Sequence, residues 1–219
     1  MTIAKIKNLL KGNVVLEEVN SPINGKISVV KSLGLGTYLQ VGNLTQSGGV
    51  VYSIWKSTLN KVKSLLPEPK NVLILGLGGG SCAKLTRKLW PNVKIIGVDF
   101  DETIVDLGEK YLGLKETNTD AVISDAYEYI EKTVADKKKY NLIIIDLYVG
   151  QEFPVVFESD AFLDNVKKAL SENGIVIFNR LYSDEKRPQA MRFGQKLEKI
   201  FTKVDYFYPQ ANVMFICVK

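Results

Sequence analysis

Glycines and carboxylic acids stand at the ends of several apolar runs, where they could bind a nucleotide. The stretch NVLILGLGGGSCAKL at residues 71–85 is typical of a buried strand, a glycine turn and the start of a helix. Glycine lets a ligand approach the backbone closely, but four glycines in one turn weaken local order at an entropic cost. Asp99, Asp125 and Asp146 stand at or just after the ends of later apolar runs. Open α/β sheets bind their ligands at the carboxyl edge of the strands, so we expect these residues to face one site.

The glycine turn leaves more than one nucleotide open. It is not a P-loop, because no Lys-Ser or Lys-Thr pair follows the last glycine. A dinucleotide fingerprint read from Gly76 fails because Ser81 takes the place of the third glycine. Read from Gly78, the fingerprint half fits, with Ala83 as the small third residue. NAD therefore remains a candidate ligand of this turn. Ser81 is also a candidate cap for the helix that follows.

Asp99 lies nineteen residues after Gly80, near the end of the run IIGVDFD. A carboxylate at that strand end can accept both hydroxyl groups of a ribose, in NAD and S-adenosylmethionine sites alike. Asp101 precedes ETIVDL directly and is better placed to cap a helix.

The sequence contains no histidine, which excludes Ser-His-Asp and Cys-His catalysis and histidine-based metal sites. A general base must then be a carboxylate, Lys, Tyr or Cys. The two cysteines, Cys82 and Cys217, are too few and too far apart for a disulfide framework or a cysteine zinc site. We expect no metal.

Short apolar runs alternate with helical patterns from residue 70 onward, which predicts a parallel sheet covered on both faces. The last two runs, KVDYFY and VMFICVK, are joined by so short a turn that they must be antiparallel. The sequence therefore predicts an α/β fold: a Rossmann-like, doubly wound, mainly parallel seven-stranded sheet that ends in an antiparallel hairpin.

The part before residue 70 has a different pattern. Residues 1–49 contain the β-type runs NVVLEEV, GKISVVKSL and TYLQVGNL, with Asn24-Gly25 as a hairpin turn, and predict a small antiparallel β domain. Residues 50–69 predict a linking helix that Pro67 and Pro69 end. The start lacks the apolar core of a signal peptide, and no apolar run is long enough to span a membrane. We expect a cytoplasmic protein that binds neither membranes nor nucleic acid.

From residue 70 to 219 the order of these motifs resembles the class I S-adenosylmethionine-dependent methyltransferase fold, and most closely the spermidine synthases and spermidine-synthase-like proteins. LTQSGGVVYSIW resembles their Gln and Tyr before the linking helix, through Gln46 and Tyr52. VDFD resembles their VEID, SDA their GDA, and DLYVGQEFP their D-x-x-D-P loop.

Two departures from that pattern concern the acceptor. The second aspartate of D-x-x-D is Val149, and the family's Tyr-His-Glu reads Tyr52-Ser53-Ile54. Both changes remove acidic groups, and a buried diamine needs paired carboxylates. The first expectation is therefore a methyltransferase acting on a small molecule. The alternatives are an aminopropyltransferase using decarboxylated S-adenosylmethionine, an NAD-dependent enzyme and a non-catalytic nucleoside-binding domain.

The resemblance implies a role for each candidate residue. The backbone at Gly76, Gly78 and Gly80 would approach the amino-acid tail of the cofactor, with Gln46 also at the cofactor. Asp99 would hold the ribose. Asp125, beside Ala126, would accept from the adenine amino group, and Phe100 or Ile123 would pack on the adenine ring or else in the core. Asp146 would orient or deprotonate an acceptor amine, or contact the cofactor ammonium, with Tyr148 lining the mouth. The resemblance also implies a homodimer.

Overall fold

The computed structural model describes residues 12–219. The first eleven residues of the predicted β domain thus lie outside the described residues. Four antiparallel strands follow in the order β1-β2-β3-β4: Asn13–Ser21, Gly25–Ser32, Gly36–Val41 and Leu44–Gly48. The predicted run TYLQVGNL forms two strands rather than one, because Gly42 and Asn43 turn the chain between Val41 and Leu44. Gly25 has the positive φ expected at the first turn, 65°.

Helix α1, Gly49–Leu65, follows β4 directly. Its buried face includes Ile54, Leu59 and Val62, as the periodic pattern predicts, and also Trp55. The helix ends before Pro67, which cannot continue it.

The second sheet has seven strands, with spatial order β10-β11-β9-β8-β5-β6-β7. Strands β7, β6, β5, β8 and β9 are parallel, and β11 runs antiparallel to both β9 and β10. This confirms the predicted fold class. The strands are β5 Asn71–Leu75, β6 Lys94–Asp99, β7 Asp120–Ile123, β8 Tyr140–Ile145, β9 Leu170–Leu181, β10 Lys203–Phe207 and β11 Asn212–Val218. The helices between them are α2 Ser81–Leu89, α3 Glu102–Tyr111, α4 Ala126–Ala135, α5 Asp160–Ala169 and α6 Arg187–Ile200, with 3₁₀ turns at Lys115–Thr117 and Val155–Glu158.

The core lies on both faces of this sheet. Alternate residues of β5 belong to different clusters: Val72 and Ile74 pack on the side of α1 and α2, while Leu73 and Leu75 pack on the side of α4 and α5. Because both faces of a central strand are buried, the strand reads as a continuous apolar run instead of an alternating one. This is the physical basis of the pattern in NVLIL.

The strand order reverses between β5 and β8, which are neighbours and lead to helices on opposite faces of the sheet. A crevice forms at the carboxyl ends of the strands at such a switch point, and ligands bind there. Here the N-terminal sheet and α1 cover that edge. Within residues 12–219, no helix combines the length and the apolar composition that crossing a membrane requires.

Hydrogen bonds join the N-terminal sheet to this edge. Ser47 Oγ accepts from the Gly79 amide at 2.8 Å, and the Gly48 amide donates to Ser81 Oγ at 2.8 Å. The sequence suggested that Ser81 caps α2, but its side chain does not do so. Ser81 is the first residue of that helix, after the left-handed Gly80. Its hydroxyl group serves the contact between the two parts of the chain.

Candidate active site

A cavity of about 490 Å³ lies between the carboxyl edge of the seven-stranded sheet and the wall formed by β4 and α1. Among the described residues that line it, three are carboxylic acids, Asp99, Asp125 and Asp146, and none is a lysine or an arginine. The cavity therefore favours ligands that carry positive charge.

Asp146 follows β8 at the switch point, where its amide donates to the Leu75 carbonyl at 2.9 Å. One carboxylate oxygen, Oδ2, accepts from the Trp55 indole nitrogen at 2.9 Å. The other, Oδ1, accepts from the Asn179 side-chain amide at 2.7 Å. Burial raises the pKa of Asp146 above its ordinary value, although both hydrogen bonds favour the charged form. The result is a partly buried, oriented carboxylate of increased basicity.

Asn179 is held in turn by Asn212. The Asn212 side-chain amide donates to Asn179 Oδ1 at 2.8 Å, so the amino group of Asn179 points to Asp146. Both asparagines are buried and line the cavity. β9 brings Asn179 to the carboxyl edge, and Asn212 reaches the same edge at the start of the antiparallel β11. The pair thus fixes which group Asn179 presents to the carboxylate.

Tyr148 lines the cavity, but its hydroxyl group is engaged by the backbone of β9. It accepts from the Leu181 amide at 2.8 Å and donates to the Asn179 carbonyl at 3.2 Å. Burial, and then the neighbouring Asp146 charge, raise the pKa of Tyr148 well above its ordinary value. Tyr148 therefore keeps its proton at neutral pH and fastens the loop after β8 to β9.

The glycine turn offers few free amide groups. The Gly76 and Leu77 amides donate to the Val98 carbonyl, the Gly78 amide to Asp99 Oδ2, and the Gly80 amide to the Leu77 carbonyl. With Gly79 bonded to Ser47, five successive amides are used within the chain. A diphosphate needs such amides free, so this turn disfavours the NAD alternative.

The close approach at Gly76 is to protein backbone. A Cβ there would lie 2.1 Å from the Asp146 carbonyl oxygen, so only glycine allows the turn to pack against the residue after β8. Gly76 and Gly78 line the cavity, whereas Gly80 lies outside it against Leu114. The structure thus separates Gly80 from the other two predicted glycines.

Asp99 lies at the end of β6 and lines the cavity. Its Oδ2 accepts from the Gly78 amide at 2.7 Å, and its Oδ1 from the Asp101 amide at 3.0 Å. Burial raises the pKa of Asp99. Asp101 caps α3, as predicted, by accepting from the Thr103 amide.

Asp125 has a structural contact that the sequence analysis did not assign. It caps α4, where its Oδ1 accepts from the Tyr127 and Glu128 amides at 2.7 and 3.1 Å. Asp125 and the buried Ala126 both line the cavity.

Phe100 and Ile123 both lie outside the core, at 40% and 46% exposure, so the expectation of core packing was wrong for both. Phe100 lines the cavity, and Ile123 is not among its lining residues. An exposed aromatic ring beside Asp99 is available to a ligand.

The N-terminal wall differs from expectation at one position. Gln46 of β4 lines the cavity, but Tyr52 lines a separate hollow with Lys84 and Tyr111. The α1 residues that face the cavity include Ile54 and Trp55.

Several polar residues line the cavity without having been predicted from the sequence, among them Asn24, Trp55, Asn179 and Asn212. Asn179 alone had a local signal, because it is polar and ends the apolar run GIVIF of a predicted strand. Cys82 also lines the cavity, but burial raises the pKa of its thiol, so it is a neutral wall residue.

The mainly parallel seven-stranded sheet with its antiparallel end has the spermidine-synthase-like class I methyltransferase fold. A spermidine synthase solved with the transition-state analogue AdoDATO superposes on this chain with a TM-score of 0.78 at 22% identity. The superposition covers 94% of this chain and 73% of the spermidine synthase chain. Residues 54–212 match the family model described as "Spermine/spermidine synthase domain". The chain belongs to this family.

Two of the curated relatives are named polyamine aminopropyltransferases. A polyamine aminopropyltransferase of Vibrio vulnificus is 30% identical over 59% of this chain, and polyamine aminopropyltransferase 1 of Aquifex aeolicus is 25% identical over 93% of it. This chain spans 45% of the length of the Vibrio protein and 74% of that of the Aquifex protein. The expectation of a small-molecule methyltransferase was wrong, because the family model and these relatives favour its aminopropyltransferase alternative.

Proposed function

We propose that this chain is an aminopropyltransferase, which transfers an aminopropyl group from decarboxylated S-adenosylmethionine to an amine. Asp146 carries the proposal: it is a partly buried carboxylate at the switch point, held from two sides by Trp55 and Asn179. A fixed negative charge at this place suits a positively charged donor and a basic acceptor. Family membership favours aminopropyl over methyl transfer.

The charges of the cavity support the decarboxylated donor. S-adenosylmethionine carries a carboxylate, and no described residue lining the cavity is a lysine or arginine that could pair with it. The amides of Gly76 to Gly80 already donate within the chain. The decarboxylated form lacks this group and has one more net positive charge, which three carboxylates stabilise more strongly.

The predicted residues fit such a donor. Asp99 would accept from the ribose hydroxyls, and Phe100 would pack on the adenine. Asp125 would accept from the adenine amino group beside Ala126, through the carboxylate oxygen that does not cap α4. Gly76, Gly78 and Gln46 would line the remainder of the donor site.

When bound, the donor supplies an aminopropyl carbon attached to a positively charged sulfur. The acceptor nitrogen forms a bond to this carbon as the carbon–sulfur bond breaks. The electrons of the broken bond pass to sulfur, and methylthioadenosine leaves. Asp146 orients the amine and accepts the proton that its nitrogen loses. The raised pKa of Asp146 brings its basicity nearer to working pH. We now assign Tyr148 to positioning, since the backbone of β9 holds its hydroxyl group.

Thermal unfolding with separate ligands tests the donor. The ligands are decarboxylated S-adenosylmethionine, S-adenosylmethionine, methylthioadenosine, NAD and NADP. A ligand at 100 times its dissociation constant adds about 2.7 kcal/mol, or roughly 5–10 °C for a chain of this size. We expect the largest shift with the decarboxylated form, and a loss of most of it in Asp99→Ala. A larger shift with S-adenosylmethionine or NAD would contradict the proposal.

Turnover is tested by the release of methylthioadenosine in the presence of a mixture of primary amines. Release that requires both the decarboxylated donor and an amine would support aminopropyl transfer. If the donor stabilises the chain but no amine leads to release of methylthioadenosine, the chain binds a nucleoside without catalysing transfer.

A further inference from the structure

Among the described residues that line the cavity, Asp146 alone is a carboxylate on the side where the proposed acceptor would bind. Asp99 ends β6 and Asp125 follows β7, while Asp146 follows β8. Neighbouring strands are about 4.8 Å apart, so Asp146 is roughly 10 Å from the β6 position and roughly 14 Å from the β7 position. We call the region over β8, β9 and α1 the amine half of the cavity. Its lining includes Trp55, Asp146, Val149, Asn179 and Leu181.

Two further carboxylates lie on the loop after β8, but each pairs with a cation and neither lines the cavity. Glu152 forms an ion pair with Lys186. Glu158 accepts from Arg180 at 2.7 Å. Arg180 is buried, and its guanidinium group lies over the rings of Phe153 and Phe193 at 4.3 and 4.8 Å. Neither glutamate therefore adds a carboxylate to the lining of the amine half.

Under the proposed function Asp146 already serves two partners, the ammonium group of the transferred chain and the attacking amine, whose proton it accepts. A second ammonium on the acceptor would meet Val149, Leu181 and neutral amides. Moving an unpaired charge from water into such surroundings is costly. The amine half suits one basic nitrogen and an uncharged remainder.

We propose that the acceptor has a single basic amine and an otherwise uncharged, mainly apolar body, and that Val149 sets this preference. The inference rests on the proposed aminopropyl transfer and narrows its substrate class to monoamines. The Val149 side chain lines the cavity at 45% exposure, and its backbone amide and carbonyl pair with Glu152. A side-chain change at this position therefore leaves its backbone contacts in place.

The test compares n-butylamine, 4-amino-1-butanol and 1,4-diaminobutane as acceptors with decarboxylated S-adenosylmethionine, by methylthioadenosine release. We expect kcat/KM for each monoamine to exceed that for the diamine by roughly tenfold or more, from one unpaired charge. Calorimetry of each amine with the protein saturated with methylthioadenosine gives a second readout, and we expect the same ranking of affinities.

Val149→Asp places a second carboxylate in the amine half and should move the kcat/KM ratio toward 1,4-diaminobutane by roughly tenfold. Val155→Asp is the matched control, since Val155 lies on the same loop, is 73% exposed and is not among the cavity residues. It should leave the ratio unchanged. If either variant fails to fold, the order of kcat/KM for the three amines in the wild-type protein still tests the monoamine preference.

The outcomes separate the two proposals. Release with 1,4-diaminobutane at the higher kcat/KM would overturn the monoamine inference and uphold aminopropyl transfer. No release with any amine, or no binding of the decarboxylated donor, would overturn both. An equal response of Val149→Asp and Val155→Asp would remove Val149 from acceptor choice.

Discussion

Trp55 donates its indole N–H to Asp146 Oδ2 at 2.9 Å, across 91 positions of sequence. Trp55 is fully buried in α1, and Asp146 directly follows the central strand β8. This bond joins the N-terminal part of the chain to the carboxylate on which the proposed chemistry depends. It also fixes one oxygen of Asp146, while Asn179 fixes the other.

Trp55→Phe should shift the pH dependence of turnover. The substitution removes a hydrogen bond that lowers the pKa of Asp146, so this pKa should rise further. The acid limb of the kcat profile, where Asp146 must lose its proton to act as a base, should move to higher pH. The folded state should also lose about 1–3 kcal/mol. The measurements are methylthioadenosine release against pH and denaturant unfolding.

Trp90→Phe is the control for this experiment. The Trp90 indole also donates a partly buried hydrogen bond, to the Pro67 carbonyl at 2.9 Å, but Trp90 does not line the cavity. It should cost comparable stability and leave the pH profile unchanged. An unshifted profile in Trp55→Phe would remove the bond from any role in setting the basicity of Asp146.

Asp146→Asn should change how stability depends on pH. Because burial raises the folded pKa of Asp146 above its ordinary value, the folded state binds a proton more tightly than the unfolded state. That contribution is fully present at pH values below the unfolded pKa and is lost as pH rises through the folded pKa. The asparagine variant lacks it.

The free energy of unfolding of Asp146→Asn, minus that of wild type, should therefore increase as pH rises from below the ordinary carboxyl pKa through the raised one. Urea unfolding over a pH series measures this difference. A constant or decreasing difference would contradict a raised pKa at Asp146. Turnover should be lost at every pH, since the variant has no base at this position.

Gly76→Ala should be far more disruptive than a matched glycine substitution. A Cβ at Gly76 would lie 2.1 Å from the Asp146 carbonyl oxygen, and the residue has φ 88°. Gly36 also has positive φ, 71°, but a Cβ added there would meet no atom within 4 Å. Gly36→Ala should cost about 1–2 kcal/mol from backbone strain alone. Gly76→Ala should cost several kcal/mol more and should also reduce donor affinity. Thermal unfolding measures the stability of both variants, and calorimetry measures their donor affinity. Equal losses of stability in the two variants would refute the close packing at Gly76.

Asp125→Ser should separate two roles of Asp125. Serine also caps helices well, so α4 should keep its stability within about 0.5 kcal/mol. The carboxylate proposed to accept from adenine is lost, so affinity for methylthioadenosine should fall roughly tenfold. Asp125→Ala should lose both affinity and about 1 kcal/mol of stability. Wild-type affinity in Asp125→Ser would leave Asp125 as a helix cap only.

The local pattern of the sequence was enough to predict most of the elements and the sheet. Continuous apolar runs such as NVLIL predict buried parallel strands, and the short turn before VMFICVK requires an antiparallel end. The carboxyl-edge rule then placed Asp99, Asp125 and Asp146 near one another, and the structure brings all three to one cavity. These are short-range features, because hydrophobic periodicity and turn residues act within a few positions.

The contacts that orient the site were decided only in the tertiary structure. Long-range packing of α1, β9 and β11 brings Trp55 and Asn179 to Asp146, and Asn212 to Asn179. No spacing in the sequence indicates which of them donates. The same packing turns Tyr52 away from the cavity and engages the hydroxyl group of Tyr148 with the backbone of β9. A side chain's direction depends on neighbours distant in sequence, so the fold was predictable from local pattern while the arrangement around Asp146 was not.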